Sequence, residues 1–329
     1  MATKNSNLHS AKRAKNDEFY TQFSDIEKEM KHYKDFFKGK VVYCNCDDAR
    51  ESNFFKYFSL NFEFLGLKKL ITTGYKENGK GVVLIYEGDK NGNRVVEDSE
   101  IIVRELEGNG DFRSAECIEF LKECDVVVTN PPFSLFREYV AQLMEYGKKF
   151  IILGNNNAIN DADIFPLFIK NEIWYGVGTN KTMDFAMPNS YEKWDRIENG
   201  VKIGKVPAIS WFTNIIHTKR NTELDLYRKY NETDYPKYDN YDAIEVSKVS
   251  EIPMDYEGVM GVPITFMNQY NPNQFEVLGI SDRRNSSGLR TKIYTNEMPK
   301  ANDFNRTPCL RIGNEYKSLY MRLFVRRKK

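Results

Sequence analysis

Apolar residues first recur at helical spacing at Ile26, Met30, Tyr33 and Phe37, behind the capping box Ser24-Asp25-Ile26-Glu27, which predicts a helix ending near Gly39. Residues 41–44 (VVYC) then predict a short buried strand, and Asp48 with Glu51 forms a second capping box ahead of Phe54, Phe58 and Phe62 at i, i+4 and i+8. Residues 69–75 and 81–86 predict further strands, followed by a turn-rich stretch at 88–92. Residues 125–129, with three consecutive valines, have the two apolar faces of a central parallel strand. Ser134 is placed to cap a helix carrying Phe136, Val140 and Leu143, Gly147 to stop it, and residues 150–153 predict another buried strand. Strands alternating with helices predict an α/β fold with an open sheet. Beyond about residue 172 the pattern changes to short strands at 173–177, 183–187 and 209–215. The stretch 217–241 is polar and tyrosine-rich, and marks a boundary that divides the chain into 1–216 and 217–329.

The stretch most suited to chemistry is Asn130-Pro131-Pro132-Phe133, directly after the valine strand. Two successive prolines remove two backbone donors and fix φ twice, so the turn is stiff. The Asn130 side-chain oxygen and the Pro131 carbonyl can both point out from the C-terminal edge of the sheet, where open α/β sheets bind ligands. Two acceptors beside the Phe133 ring would suit an exocyclic amine and its aromatic ring.

A length of 329 residues predicts about two domains. With 48 basic and 47 acidic residues the whole chain is no polycation, so contact with nucleic acid requires charge gathered locally. It is gathered at 305–329, where eight basic residues accompany a single acid, Glu315. Five scattered cysteines and three histidines (9, 32 and 217) do not supply the ligand cluster of structural zinc, and no metal is expected. Cys44 and Cys46 read as small buried side chains. The first sixteen residues lack the apolar region of a signal peptide, and no apolar run approaches the ~20 residues of a membrane span. A cytoplasmic monomer without membrane contact is expected.

Several blocks in order resemble the EcoRI-type adenine-specific DNA methyltransferases: residues 17–22 (DEFYTQ), 41–48 (VVYCNCDD), 52–58 (SNFFKYF), 110–113 (GDFR), 129–147 with the Asn-Pro-Pro-Phe turn, 254–266 (MDYEGVMGVPITF) and 271–275 (NPNQF). This resemblance implies a Rossmann-like sheet that uses S-adenosyl-L-methionine in residues 1–216 and a target-recognition region in 217–329. It implies N6-methylation of an adenine flipped out of double-stranded DNA, with Asn130, Pro131, Pro132 and Phe133 catalytic. A partner restriction endonuclease sharing the site, and a GAATTC-like sequence as first probe, are implied in the same way. For the cofactor it implies Tyr20, Thr21, Asn45 and Asp47 near the methionine end, and Asp111 with Phe112 at the adenine. Asp47 is preferred over Asp48 because Asp48 suits a helix cap.

Two features depart from the usual cofactor-binding pattern. Residues 44–53 contain no glycine, and the strand ending at 71–75 lacks an acid for the ribose hydroxyls, for which Glu87 is a candidate substitute. In the C-terminal region Arg283, Arg284, Arg290 and Lys292 are candidates for base edges or phosphates, and Arg326 and Arg327 for phosphate or solvent. The connector tyrosines either stack on bases or are buried. Competing readings are methylation of another amine (an RNA base or a protein glutamine), a DNA-binding protein without catalysis, and a nuclease built on residues 87–90.

Overall fold

The computed structural model describes residues 19–187, 191–281, 288–295 and 300–328. The chain divides into two compact units, one of Met1–Asp161 with Ile173–Thr218 and one of Ala162–Glu172 with Lys219–Lys329.

The first unit contains β1 (Tyr20–Thr21), β2 (Val41–Asp47), β3 (Lys69–Gly74), β4 (Val82–Tyr86), β5 (Ile101–Glu105), β6 (Val126–Thr129), β7 (Lys149–Asn155), β8 (Trp174–Tyr175), β9 (Lys181–Ala186), β10 (Arg196–Glu198) and β11 (Val201–Thr213). They form one sheet whose main order is β1-β9-β11-β7-β6-β2-β3-β4-β5. The strands β7-β6-β2-β3 pair in parallel, and antiparallel strands extend the sheet on both sides. This is the α/β sheet expected from the sequence. All four residues of β6 are buried, as its valines require between two covered faces. The strand β5 escaped the periodicity because it is an edge strand whose last four residues are exposed.

Helices α1 (Phe23–Met30) and α2 (Asn53–Leu60) carry the aromatic stripe. Both begin elsewhere than the capping boxes predicted. Pairing of β1 with β9 holds the chain extended to Gln22, so α1 starts at Phe23 with no side-chain cap. It also ends at Met30, beyond which the amides of Tyr33 and Phe36 bond back three residues (2.9 Å each), so Phe37 is reached through a 3-10 turn. Asp48 caps a turn by accepting the amides of Arg50 (2.9 Å) and Glu51 (3.3 Å), and Ser52 caps α2 through the Phe54 amide at 3.2 Å. Helix α3 (Ala115–Glu123) is capped by Ser114. Helix α4 (Phe136–Glu145) starts after a 3-10 turn at Phe133–Leu135 that contains Ser134, so Ser134 is not its cap. It buries Phe136, Tyr139, Val140 and Leu143, and Gly147 stops it at φ +60°. Phe136 lies so close to β7 that a Cβ on Gly154 would sit 2.4 Å from its ring.

The second unit holds β12 (Ile244–Glu245), β13 (Met260–Pro263), β14 (Phe275–Ile280), β15 (Cys309–Ile312), β16 (Glu315–Ser318) and β17 (Arg322–Arg327). One sheet runs β12-β13-β17-β14, while β15 and β16 form a separate hairpin. Leu323, Phe324 and Val325 are fully buried in β17. Arg322 forms a bidentate pair with Glu245 (2.7 and 3.1 Å), whose carboxylate also accepts the Tyr238 hydroxyl. Of the connector tyrosines, Tyr235, Tyr238 and Tyr241 are buried, while Tyr227 is exposed.

Candidate active site

From β2 the chain proceeds to β3 on one side, and from β6 to β7 on the other, so the C-terminal ends of β2 and β6 flank the point where strand order reverses. Asn45 stands near the C-terminal end of β2 and Asn130 directly after β6. The Thr129 hydroxyl donates to the Asn45 carbonyl, tying the two strand ends together. The Tyr139 hydroxyl, from α4, donates to Asn45 Oδ1 and fixes that amide. Complete burial, with the neighbouring Cys46 next in weight, pushes the Tyr139 phenol well above its ordinary range, so it remains a donor.

The Asn130 side chain is buried, and its Nδ2 donates to the Phe19 carbonyl at 2.5 Å. That bond turns Oδ1 away from Phe19, and Oδ1 is buried without a hydrogen-bond partner among the described residues. The Thr21 hydroxyl, on the adjacent β1, is likewise buried and unmatched. An unmatched buried acceptor costs about 1–3 kcal/mol, which a chain retains where a ligand supplies the partner. The Pro132 carbonyl accepts the Leu135 amide at 2.9 Å, so the 3-10 turn uses it. Phe133 is half-buried with its ring edge-on to Phe19 (6.4 Å, 76°) and Phe185 (6.4 Å, 84°), and Phe19 meets Tyr191 at 5.3 Å. An aromatic wall therefore stands beside the open acceptor.

The absent glycine of the β2 turn has a structural answer. Cys46 itself adopts φ +67°, so the turn takes the left-handed conformation without glycine, at a cost of roughly 1–2 kcal/mol. Asp47 ends β2 in register with Gly74. Gly110 packs so tightly on the end of β3 that a Cβ there would lie 2.3 Å from the Gly74 carbonyl oxygen, and its φ is +82°. This brings Asp111 and Phe112 over the sheet edge. The Arg113 side chain grips Asp111 (2.8 and 2.6 Å) and is the main reason its carboxyl lies below the usual range. Phe112 is buried edge-on to Tyr139 at 4.9 Å, with Arg113 over its ring at 5.1 Å.

Asn45, Phe112 and Asn130 are thus linked through Thr129 and Tyr139, with Thr21 beside Phe19. The features here that would fit S-adenosyl-L-methionine are the unmatched Thr21 hydroxyl, toward its methionine end, and the buried Phe112 ring, toward its adenine. Tyr20 lies on β1, and Glu87 is exposed directly after β4. The residues 87–90 lie in a turn directly after β4. Asp89 caps its own turn through the amides of Asn91, Gly92 and Arg94, which lowers its pKa, and among the described residues no group of His, Cys, Asp and Glu is placed to hold a metal ion. All five cysteines are buried and none is in a disulfide.

Phe19 and Tyr139 were absent from the sequence-derived candidates. The signal for Tyr139 was its place on the buried face of α4, since a phenol there must find an acceptor. Phe19 acts through its carbonyl, which no side-chain pattern announces.

In the second unit, Arg290 bonds to the Asn305 carbonyl (2.9 Å) and the Tyr241 hydroxyl (2.5 Å), and Lys292 to Asp239 (2.7 Å). Arg326 pairs with Glu276 at 2.8 Å, and Arg327 Nε is buried without a partner among the described residues. Arg283 and Arg284 lie outside the described residues. No helix among the described residues is long and apolar enough to cross a membrane.

Residues 7–328 match the family described as adenine-specific methyltransferase EcoRI. The chain is similar to the type II methyltransferase M.EcoRI of Escherichia coli, 51% identical over 287 residues that cover 82% of this chain and 88% of the relative. It is also similar to M.MpnI of Mycoplasma pneumoniae, 46% identical over 82% of this chain and 83% of that one. M.MgeORF184P of Mycoplasma genitalium is 42% identical over 82% and 84%.

Proposed function

The chain belongs to the EcoRI family of adenine-specific methyltransferases, and from that premise we propose how its residues divide the work. It is a type II DNA adenine methyltransferase, the modification enzyme of a restriction-modification system. The observation that carries the site assignment is the buried, unmatched Asn130 Oδ1 in a rigid turn at the sheet's switch point.

The N6 amine of adenine is a poor nucleophile because its lone pair is delocalised into the ring. In our reading Asn130 Oδ1 accepts one of its hydrogens and the Pro131 carbonyl the other, which draws nitrogen toward sp³ and frees the pair. Pro132 stiffens the turn, so the acceptors are positioned before the base arrives. Phe133 stacks on the extruded base, and stacking worth ~1–3 kcal/mol offsets much of the unpairing cost. S-adenosyl-L-methionine, when bound, would supply an electrophilic sulfonium methyl group for the freed lone pair. Thr21, Asn45 and Asp47 would hold its methionine end, with Tyr20 beside them, and Phe112 and Asp111 its adenine. Tyr139 and Phe19 are positioning residues, acting through Asn45 and Asn130.

The test is transfer of labelled methyl to duplex DNA, beginning with GAATTC-containing duplexes, followed by digestion to nucleosides. N6-methyladenine is expected from the parent and a loss of orders of magnitude from Asn130→Ala. Label in protein or RNA, or none in any DNA, would refute the reading.

A further inference from the structure

The basic residues of 305–329 do not present their charge alike. Arg322 is buried against Glu245, Arg326 is paired with Glu276, and Arg327 Nε is enclosed. Arg306 and Lys317 instead remain exposed and, with Lys300, line a cleft of about 470 Å³. The cleft rests on a small core of Tyr294, Ala301, Phe304 and Cys309, with Tyr316 packed against it. The hydroxyls of Thr307 and Ser318 bond each other at 2.7 Å in its wall, Thr307 Oγ1 also lies within reach of the Asp303 carbonyl at 3.3 Å, and Asp303 is the one carboxylate lining it. None of the three cations pairs with a carboxylate among the described residues, whereas Lys292, over the Tyr294 and Tyr316 rings of the same aromatic core, is held by Asp239 at 2.7 Å.

We propose that this cleft is a phosphate site for the DNA substrate, an inference that rests on the DNA-methyltransferase reading above. Three like charges around one concavity repel each other, and an anion between them relieves that repulsion. A phosphodiester suits the donor set, because Lys300 and Lys317 act as point charges and Arg306 offers a planar fork. Bidentate reading of an adenine edge would call for the amide of Asn or Gln, and neither lines the cleft. The contact therefore adds affinity for any sequence and leaves discrimination to other residues.

The experiment measures binding of the full chain to two duplexes, one carrying the methylated site and one lacking it, over a range of KCl concentrations. The combined variant Lys300→Gln, Arg306→Gln, Lys317→Gln should lower the slope of log affinity against log salt by at least about 0.9, the value for one phosphate, on both duplexes. The charge-keeping variant Lys300→Arg, Arg306→Lys, Lys317→Arg should retain the parent slope, and kcat at saturating DNA should be unchanged in both. An unchanged slope in the glutamine variant, with its thermal unfolding like the parent's, would overturn the proposal. An effect confined to the site-bearing duplex would overturn the phosphate assignment. A parent that methylates no DNA would instead indict the functional reading, so the two failures are distinguishable.

Discussion

Replacing Asn130 by alanine should separate catalysis from stability. The substitution removes the Nδ2 bond to the Phe19 carbonyl, a loss of about 0.5–1.5 kcal/mol. It also removes the unmatched Oδ1, whose burial costs about 1–3 kcal/mol in the resting chain. The two changes oppose each other, so the variant should be destabilised by no more than about 0.5 kcal/mol or stabilised by up to about 2.5 kcal/mol. In the transition state the lost acceptor has no such offset, and removal of one preorganised group of this kind lowers kcat by about 10²- to 10³-fold. Urea unfolding followed by tryptophan fluorescence isolates the relevant unit, because Trp174, Trp194 and Trp211 all lie in it. A kcat within tenfold of the parent would refute the catalytic role, and a destabilisation above ~2 kcal/mol would make Asn130 a structural residue. Asn130→Asp extends the test, since an ionised carboxylate would face the Phe19 carbonyl with two oxygens. Its activity should rise as pH falls and the acid becomes the donor that Nδ2 was; a flat profile would count against this geometry.

Phe133→Ala should lower kcat/KM for duplex DNA by about 5- to 150-fold, matching ~1–3 kcal/mol of lost stacking, and a mispaired target adenine should narrow the gap; equal losses on paired and mispaired substrates would contradict the stacking role. Gly110→Ala, at φ +82° with a Cβ 2.3 Å from the Gly74 oxygen, should destabilise the fold by more than about 1 kcal/mol and weaken cofactor binding through Asp111 and Phe112; calorimetry reads both. Glu29 is buried, accepting from Tyr33 (2.9 Å) and the amides of Val177 (2.8 Å) and Gly178 (2.7 Å), and burial raises its pKa despite those bonds. The folded state therefore holds this proton more tightly than the unfolded one, and the linked stability, full below the ordinary glutamate value, is lost as pH rises through the raised one. Glu29→Gln should flatten that part of the stability–pH curve, and an unaltered slope would show that Glu29 does not titrate there.

The elements legible in the sequence were those whose partners are local in kind. The strands at 69–74, 82–86 and 126–129 were announced by runs of apolar residues, and Gly147 marked the end of α4. Capping boxes were less informative: the pairing of β1 kept the chain extended to Gln22, so α1 began ahead of Ser24, while Asp48 capped a turn and left Ser52 to cap α2. Charge along the tail was legible as a total, but its distribution was not, because Glu245 and Glu276, which take Arg322 and Arg326, lie 77 and 50 residues away in sequence.

The sequence by itself determined an α/β chain, the rigid Asn-Pro-Pro-Phe turn at the end of a valine strand, and membership of a family that methylates adenine. Tertiary structure alone decided that Asn130 has one polar atom satisfied and one open. Its donor meets the Phe19 carbonyl from 111 residues away, and the neighbouring strand ends are joined by Thr129 and Asn45, 84 residues apart. Periodicity encodes which face of an element is buried, because burial repeats with backbone geometry. It carries no information about which distant group completes a hydrogen bond, and the chemistry of this site depends on the bond left incomplete.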